Sequence, residues 1–309
     1  MMGRVVAICT SEEKGTLKHE VSEAKFKINH GIVGDAHAGN WHRQVSLLAL
    51  EKIEEFRAKG ACVEFGAFGE NIVTEGINLS HLFVGTKLKL GEEIVLEVTQ
   101  IGKTCHNDCA IRKQVGDCIM PREGIFAEVI SGGNLYPNDE IDVIDADNNR
   151  PFTAAVITVS DRCSRGERED KSGPMAAEIL ENAGYKVVEK ILIPDGIEPL
   201  ATELIRLADS RQVSLIVTSG GTGFSERDLT PEATLKIAER QAPGIAEAMR
   251  AHSMTITDRA CLSRAVSVIR KKSLILNLPG SPKAVKEELE YILPIIEHGL
   301  EILRGDITE

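Results

Sequence analysis

The sequence lacks both a membrane segment and a disulfide framework. No stretch approaches the roughly 18 consecutive apolar residues of a membrane span, and the opening residues, MMGRVVAICTSEEKG, are typical of a strand rather than a signal peptide. Seven cysteines in 309 residues show no pattern typical of a small disulfide-bonded domain. We therefore expect a cytoplasmic protein with reduced thiols and no membrane partner.

Basic charge is also scarce. The net charge is -11, with 16 basic and 23 acidic side chains in residues 1–150 and 20 and 24 in residues 151–309. Neither half offers the basic surface that nucleic acids require, so no nucleic-acid partner is expected. An anionic ligand would have to be bound by local arginine, lysine and backbone N–H groups.

Length and composition indicate two globular domains. A chain of 309 residues exceeds the usual size of one domain, and 42% hydrophobic and 27% charged residues are ordinary for a soluble protein. The sequence contains no internal repeat, low-complexity tract or heptad array. An acidic, Asn-rich stretch from Asp145 to Arg150 separates two regions of different pattern, which we expect to form domains at residues 1–147 and 151–309.

Short runs of Val, Ile and Leu dominate the first region, separated by glycines and charged turns. Such spacing predicts a mostly antiparallel β domain. One helix is expected in VSLLALEKIEEFRAKG, where Leu48, Ile53 and Phe56 recur at helical spacing and Gly60 ends the run.

The second region alternates apolar strands with amphipathic helices. The predicted strands include AAVITVS, KVVEKILIP, SLIVTSGG and SLILNLPG. Two helices are expected near 231–252, and a last one from Pro282 to about Leu303. This pattern predicts a doubly wound α/β/α domain with a mostly parallel sheet.

A Gly-rich loop follows the predicted strand SLIVTSGG, in the segment TSGGTGFSERDLTPEA (218–233). Ligands of open α/β sheets bind at this edge, and glycines let the backbone N–H groups approach an anion closely. Thr230 before Pro231 is typical of a helix N-cap, so the loop would lead a phosphate to a helix N-terminus. The candidate ligand-binding residues are Ser219, Gly220, Gly221, Thr222 and Gly223.

Two aspartates are candidate ligands of Mg²⁺. Taken alone, Asp228 fits a solvated carboxylate or a partner of Arg227, and Asp195, in ILIPDGIEP, fits a turn residue. Beside a phosphate-binding loop, however, carboxylates can hold Mg²⁺ that neutralises phosphate oxygens. Polar loops after two further predicted strands add candidate ligand-binding residues at the same edge: Ser160, Asp161, Pro279, Gly280 and Ser281.

These motifs, in the order VITVSDR, IPD, TSGGTG, RDLTPEAT, LSRAVSVIRK and LILNLPGSPKAVKE, resemble the molybdopterin adenylyltransferases of the MogA and MoaB type over about residues 153–304. The resemblance implies binding of molybdopterin and transfer of AMP from ATP to its terminal phosphate, and often a trimer. Asp195 and Asp228 match the two functionally important aspartates of that family, and 220–223 match its pterin- and phosphate-binding loop. We therefore expect these aspartates to be catalytic and to hold Mg²⁺.

The first region contains two candidate segments. HGIVGDAHAGNWHRQVSLL (30–48) has histidines at irregular spacing, which favours loop hydrogen bonds over a zinc site; His42 and Arg43 are candidates for binding a phosphate or carboxylate. GKTCHNDCAIRKQVGDCIMPREGIFAEV (102–129) has spacings that fit zinc poorly. Its many basic residues favour a reactive thiolate, although a buried inert cysteine is the equal alternative. The segment contains Cys105, His106, Cys109 and Cys118, and its three cysteines are the candidates.

Both segments, with FGENIVTEGINL and VGTKLKLG, resemble the MOSC domain, named for its place at the C-terminal end of molybdenum cofactor sulfurases, over about residues 3–143. The resemblance implies a β-barrel-like fold that binds the molybdenum cofactor, with one cysteine that coordinates molybdenum or accepts sulfur. Cys109, before Ala110 and Ile111, best matches the reactive position, and Cys105 and Cys118 remain alternatives.

The two resemblances point to one pathway. We expect a fused protein of molybdenum cofactor assembly that uses ATP and Mg²⁺ and meets other assembly proteins or molybdoenzymes. The alternative is a carrier or storage protein that binds the pterin without turning it over. A third reading makes the first domain a molybdenum-cofactor reductase module, for which the sequence shows no flavin or haem partner motif.

Overall fold

The computed structural model divides the chain into two compact units, Met1–Asp147 and Asn148–Glu309. The parts of the chain that it describes are residues 2–60, 62–79, 82–103, 118–144 and 150–305. Within these parts, no helix is long and apolar enough to cross a membrane.

The first unit is built around a closed β-barrel. Its strands are β1 (Met2–Thr10), β2 (His19–Val21), β3 (Ala24–Lys27), β4 (Gly31–Ile32), β5 (Val45–Ala49), β6 (Ile72–Glu75), β7 (Lys87–Leu90), β8 (Ile94–Ile101), β9 (Ile125–Ser131), β10 (Gly133–Leu135) and β11 (Glu140–Ile144). The order β11-β7-β8-β9-β5-β6-β1 closes because β1 also pairs with β11. Only the pairing of β5 with β6 in this ring is parallel. The expected barrel-like, mostly antiparallel domain is confirmed.

Side chains from many strands fill the barrel interior. Val5, Leu47, Leu88, Leu96 and Ile125 come from five different strands and are all 0% exposed. Removing this apolar surface from water provides about 25 cal/mol per Å² of buried area, so the packed interior stabilises the closed sheet. In the described part of this unit, two short helices accompany the barrel, α1 (Leu50–Arg57) and α2 (Met120–Glu123).

The helix expected in VSLLALEKIEEFRAKG is correct only in its second half. Residues Val45–Ala49 form β5, and the helix begins at Leu50. Every residue of β5 is buried, because Val45, Leu47 and Ala49 pack into one apolar cluster and Leu48 packs into another. A strand buried on both faces needs no alternation of polar residues, so its apolar run resembles part of a helix.

The second unit is a three-layer α/β/α domain. Its strands are β12 (Thr153–Val159), β13 (Lys186–Ile193), β14 (Leu215–Ser219), β15 (Arg240–Gln241), β16 (Ser267–Arg270) and β17 (Ser273–Leu278), and its α-helices are α3 (Asp161–Ser164), α4 (Ser172–Asn182), α5 (Ile197–Ile205), α6 (Thr230–Lys236), α7 (Pro243–Met254) and α8 (Pro282–Arg304). The sheet order is β13-β12-β14-β17-β16-β15, and the first four strands are parallel. The predicted mostly parallel sheet is confirmed.

Helices cover both faces of this sheet. Along β12, Ala154 and Val156 pack into a core with α4, α7 and α8, whereas Ala155 and Ile157 pack into a second core with α5 and α6. Because β13, β12, β14 and β17 are parallel, their carboxyl ends lie at one edge of the sheet. This edge is where ligands of open α/β sheets bind.

Candidate functional site

Backbone hydrogen bonds connect the loops at the carboxyl ends of the parallel strands. Ser160 N–H donates to Ile193 O at 2.9 Å, and Gly220 N–H donates to Leu278 O at 3.2 Å. The Ser219 hydroxyl donates to Pro279 O at 3.0 Å. The predicted candidate residues that follow β12, β14 and β17 therefore lie at the same edge of the sheet.

Only glycine fits the first positions of the loop after β14. Gly220 and Gly221 have φ angles of +106° and +65°, which side chains with a Cβ rarely adopt. A Cβ on Gly220 would collide with Val159 O, and one on Gly221 would collide with the Thr230 hydroxyl. The backbone here thus approaches its neighbours more closely than a larger residue permits.

The loop presents donors that the described part of the chain does not satisfy. The N–H groups of Gly221, Thr222 and Gly223 have no acceptor among the described residues. The Thr230 hydroxyl is buried beside Gly221 and likewise has no partner there. Successive N–H groups of this kind form an anion-binding concavity, and a buried donor without an acceptor costs about 1–3 kcal/mol. These donors fit the oxygens of a phosphate group.

The expected N-cap at Thr230 is wrong. Helix α6 begins at Thr230, and its N-cap is Leu229, which makes no side-chain cap hydrogen bond. Thr230 N–H donates to Gly221 O at 3.1 Å, so the Gly-rich loop itself satisfies the first N–H group of the helix. The Thr230 hydroxyl is therefore not used for capping and lies beneath Gly221.

Asp228 lies in a tight turn beside the same loop. Its Oδ2 accepts the N–H of Ser225 at 2.8 Å, and its own N–H donates to Ser225 O at 2.9 Å. Arg264 reaches this turn from elsewhere in the chain. Its Nε donates to Gly223 O at 2.7 Å, and its Nη2 donates to Asp228 O. Arg264 thereby holds the glycine loop and the Asp228 turn together, a role that sequence reasoning missed.

Asp195 lies beside Asp161 rather than in a turn of its own. Asp161 N–H donates to Asp195 Oδ2 at 2.9 Å, and Asp195 N–H donates to Asp161 Oδ1 at 3.1 Å. Arg227 Nη1 lies 3.6 Å from the other oxygen of Asp161. This arrangement fixes the loops after β12 and β13 relative to each other.

The carboxylates suit a cation that substrate oxygens also bind. Asp195 and Asp228 each use Oδ2 for a backbone N–H, and their Oδ1 atoms have no donor among the described residues. No group of three or more His, Cys, Asp or Glu in the described parts could hold a metal ion. Mg²⁺ commonly uses one or two carboxylates together with substrate phosphates, so each of these oxygens is chemically suited to such a role.

A small pocket of about 100 Å³ opens next to the glycine loop and contains residues that the sequence analysis did not identify. Asp170 accepts the N–H groups of Ser172 and Gly173 at 3.1 and 3.0 Å and so starts helix α4. An acidic residue two or three positions before an apolar helix is the signal that was overlooked. The lining includes Thr158, Ser160, Cys163, Asp170, Lys171, Ser172, Ser219, Gly220 and Gly280.

In the first unit, His42 and Arg43 lie in the loop just before β5. His42 Nε2 lies 3.1 Å from Gln100 Oε1, and the Arg43 guanidinium stacks over the Trp41 ring at 4.8 Å and over Phe126 at 5.7 Å. Cation and π contacts of this kind hold a guanidinium in place. His42 and Arg43 are thus ordered by neighbouring side chains.

Of the three candidate cysteines, only Cys118 is described. It is 4% exposed and packs in an apolar cluster with Phe68 and Met120. Reactive thiolates are typically at least partly exposed, so this position fits a structural cysteine better than a reactive one. Cys105, His106 and Cys109 lie outside the described residues.

Comparison with known proteins identifies both units. A family described as a probable molybdopterin binding domain matches residues 155–298, and the MOSC domain matches residues 34–142. The molybdopterin adenylyltransferase of Helicobacter pylori strain J99 is 40% identical over 156 residues, 50% of this chain and 89% of its own. The molybdopterin adenylyltransferase of Haemophilus influenzae is 47% identical over 139 residues, which are 44% of this chain and 71% of its own. The crystal structure of the molybdopterin biosynthesis enzyme MoaB from Thermus thermophilus is 42% identical, covers 50% of this chain and 97% of its own, and has a TM-score of 0.48.

Proposed function

We propose that this chain, which belongs to the molybdopterin-binding family through residues 155–298 and contains a MOSC domain at residues 34–142, adenylylates molybdopterin in its second unit and binds the molybdenum cofactor in its first. Relatives that are 40% and 47% identical to it carry the name molybdopterin adenylyltransferase, and the chain spans 89% and 71% of their lengths. The observation that carries the proposal is the glycine loop, whose N–H groups at 221–223 have no acceptor in the described part of the chain.

In the proposed reaction, a terminal phosphate oxygen of molybdopterin attacks the α-phosphorus of ATP. A new P–O bond forms, the bond from the α-phosphorus to the bridging oxygen breaks, and pyrophosphate leaves with that electron pair. The attacking phosphate is already ionised at neutral pH and needs no strong general base. Catalysis therefore depends mainly on positioning and on stabilising negative charge.

The residues of the chain would provide both the positioning of the substrates and the stabilisation of negative charge. The N–H groups of Gly221, Thr222 and Gly223 would bind phosphate oxygens, and Arg264 holds their loop in shape. The pair Asp161 and Asp195 fixes the neighbouring loop. Asp195 and Asp228 would hold Mg²⁺, which when bound offsets the repulsion between two polyanionic substrates. Preorganised donors need little rearrangement when charge develops in the transition state.

For the first unit, the proposal assigns cofactor binding to His42 and Arg43, and coordination of molybdenum or acceptance of sulfur to Cys109. What supports it is the match to the MOSC domain and the ordered position of Arg43 against Trp41. Mass spectrometry after exposure to a low-molecular-weight persulfide, which transfers its outer sulfur to a thiolate and leaves as a thiolate itself, tests the cysteine. A persulfide that appears on Cys105 or Cys118 and not on Cys109 would contradict the assignment.

The first experiment measures pyrophosphate release and adenylylated pterin with Mg-ATP and molybdopterin. Asp228→Asn removes the charge but keeps an oxygen that can accept the N–H of Ser225, so we expect turnover to fall at least tenfold and pterin binding to change little. Asp258→Asn makes the same chemical change at an exposed position of this unit and should leave turnover unaffected.

Other outcomes decide between the proposals. Equal losses of turnover and pterin binding in Asp228→Asn would indicate a structural aspartate. Tight pterin binding by a folded protein that releases no pyrophosphate would replace the transferase by a carrier.

A further inference from the structure

A cavity of about 430 Å³ lies in the second unit, at the edge of the sheet opposite the glycine loop. Its walls come from the residues just before β12 and β13 and from the second half of α8. Strand β12 has seven residues, each about 3.3 Å long, so the cavity lies roughly 20 Å from the proposed catalytic edge. Small-molecule sites usually have volumes in this range. Aromatic, apolar and charged side chains share the walls: Phe152, Tyr185, Leu293, Glu297, Glu301 and Arg304.

Flat groups gather on one side of this cavity. The ring centres of Phe152 and Tyr185 lie 6.2 Å apart, and the ring planes are tilted by 34°. The Arg304 guanidinium lies 4.0 Å from the centre of the Phe152 ring, and its Nη1 donates to Arg150 O at 2.8 Å. Proteins bind nucleobases by stacking them on aromatic rings and guanidinium planes of this kind. The cavity is therefore suited to a planar heteroaromatic ring.

The Tyr185 hydroxyl is an unused hydrogen-bonding group in the same wall. Tyr185 is 8% exposed, and its hydroxyl has no hydrogen-bond partner in the described part of the chain. Burial raises the pKa of Tyr185 to about 12, and the charge of Glu297 adds to this effect. Since Glu297 lines the cavity, its effect places the hydroxyl on the cavity side. At neutral pH the hydroxyl is protonated, so it offers a ligand both a donor and an acceptor.

Glu297 supplies a group that can only accept. Its carboxylate is exposed and makes no hydrogen bond or ion pair with the described residues. Glu301 lies one turn further along α8, and like charges at this spacing repel each other. A ligand that donates to Glu297 would offset this repulsion. Because an ionised carboxylate has no proton to give, it favours a ring edge that carries donors and no acceptor.

We propose that this cavity binds the 2-amino-4-oxopyrimidine ring that guanine and pterins share. In this ring a ring N–H and the neighbouring amino group point the same way, so both can donate to the carboxylate of Glu297. Adenine has its amino group beside a ring nitrogen that accepts, and the lone pair of that nitrogen would face the carboxylate. Phe152 and Arg304 would pack against the bound ring, and the Tyr185 hydroxyl would gain a partner.

Isothermal titration calorimetry of the full chain with guanosine, neopterin and adenosine tests the site. None of these compounds carries a phosphate that the glycine loop could bind. We expect guanosine, neopterin or both to bind about tenfold more tightly than adenosine, and the compound that binds identifies the source of the ring.

Two substitutions with matched controls test the contacts. Glu297→Gln replaces one acceptor oxygen by an amide NH₂ group and should weaken binding about tenfold, whereas Glu290→Gln changes an exposed carboxylate elsewhere on α8 and should not. Tyr185→Phe removes only the hydroxyl, so binding should weaken about threefold while thermal stability stays unchanged. Tyr291→Phe is its control, because that ring stacks on His252 outside the cavity.

Hydrogen exchange locates the bound ring independently. We expect ligand to protect peptides from 183–187 and 293–304. Unchanged affinity in both Glu297→Gln and Tyr185→Phe, or protection confined to peptides around 220–228, would overturn the cavity as the site. Equal affinity for adenosine would overturn the choice of ring, and no binding of guanosine or neopterin by the folded protein would overturn the proposal as a whole. None of these readouts involves pyrophosphate release, so the proposed transferase stands or fails separately.

Discussion

Asp161 and Asp195 exchange hydrogen bonds across two adjacent strand ends. Each backbone N–H donates to the carboxylate of the other residue, at 2.9 and 3.1 Å. The pair therefore joins the loops after β12 and β13 through two charge-assisted bonds, which are stronger than neutral ones. It uses Oδ2 of Asp195 and leaves Oδ1, the proposed Mg²⁺ ligand, without a donor in the described part of the chain.

This geometry separates two roles of Asp195. Asp195→Asn keeps an oxygen acceptor for Asp161 N–H, so we expect nearly unchanged stability and at least a tenfold loss of turnover. Asp195→Ala also removes the acceptor of Asp161 N–H, so it should lower the free energy of unfolding by about 1–3 kcal/mol as well as turnover. Thermal unfolding and pyrophosphate release measure the two effects. If Asp195→Asn were fully active, the aspartate would serve only the loops.

For Thr230 we expect substitution to weaken substrate binding without lowering stability. Its hydroxyl is buried without a partner in the described part of the chain, next to Gly221. Thr230→Val removes this unsatisfied group while keeping the shape of the side chain, so stability should be unchanged or higher. If the hydroxyl binds a substrate phosphate, KM should rise about tenfold. Thr230→Ser restores a hydroxyl and should restore KM, whereas equal KM values in all three proteins would exclude contact with substrate.

Periodicity predicted the class of both domains. Continuous apolar strands between amphipathic helices predicted the parallel sheet, and short apolar runs predicted an antiparallel β domain, whose closure into a barrel was implied by the resemblance to the MOSC domain. They failed at Val45–Ala49, where a strand buried on both faces gives the same apolar pattern as a helix. Only the pairing with β6 and β9, which lie far away in sequence, decides between the two.

The candidate site was predictable where its chemistry is local. Gly220, Gly221 and Gly223 lie in one loop, and the positive φ angles of the first two follow from local backbone geometry. Arg264 was not predictable, because it contacts Gly223 and Asp228 from 41 and 36 positions away. Asp161 and Asp195 were each identified as candidates, but their mutual hydrogen bonds depend on two strands that are adjacent only in the fold.

Arg264 is expected to act on turnover through the loop that it holds. Arg264→Met should release the carbonyl groups of Gly223 and Asp228 and lower turnover at least tenfold. Arg270 is a matched control, because it also makes several bonds, to Asp209 and to Ile237 O, away from the site. Arg270→Met should lower the thermal stability about as much and leave turnover unchanged. Parallel losses of turnover in both variants would reduce the role of Arg264 to general stability.

Glu288 makes the stability of the second unit depend on pH. It lies on α8 and is 3% exposed. Its Oε1 accepts the Ser253 hydroxyl at 3.1 Å, and its Oε2 has no partner among the described residues. Burial raises the pKa of Glu288 to about 7, an effect that Ser253 and Arg250 oppose and Glu287 reinforces. Between pH 4.5 and about 7, Glu288 is therefore protonated in the folded state and ionised in the unfolded chain.

The sign of the effect follows from linkage. Because the folded pKa is the higher one, the stabilising contribution is complete below pH 4.5 and is lost as the pH rises to about 7. The loss is about 1.4 kcal/mol per pH unit in this window. Glu288→Gln carries no ionisable group, so it should be more stable than the natural protein at pH 8 and similar to it at pH 4.5.

Hydrogen exchange of peptides from α7 and α8 measures this difference in the intact chain, since both helices pack at Glu288 and exchange reports local stability. Glu290→Gln changes an exposed carboxylate of the same helix and should show no comparable dependence on pH. Protection in Glu288→Gln that exceeds the natural protein equally at pH 5 and pH 8 would exclude titration of Glu288 as the cause. The buried Oε2 would then find a partner, such as an ordered water, that keeps the carboxylate charged.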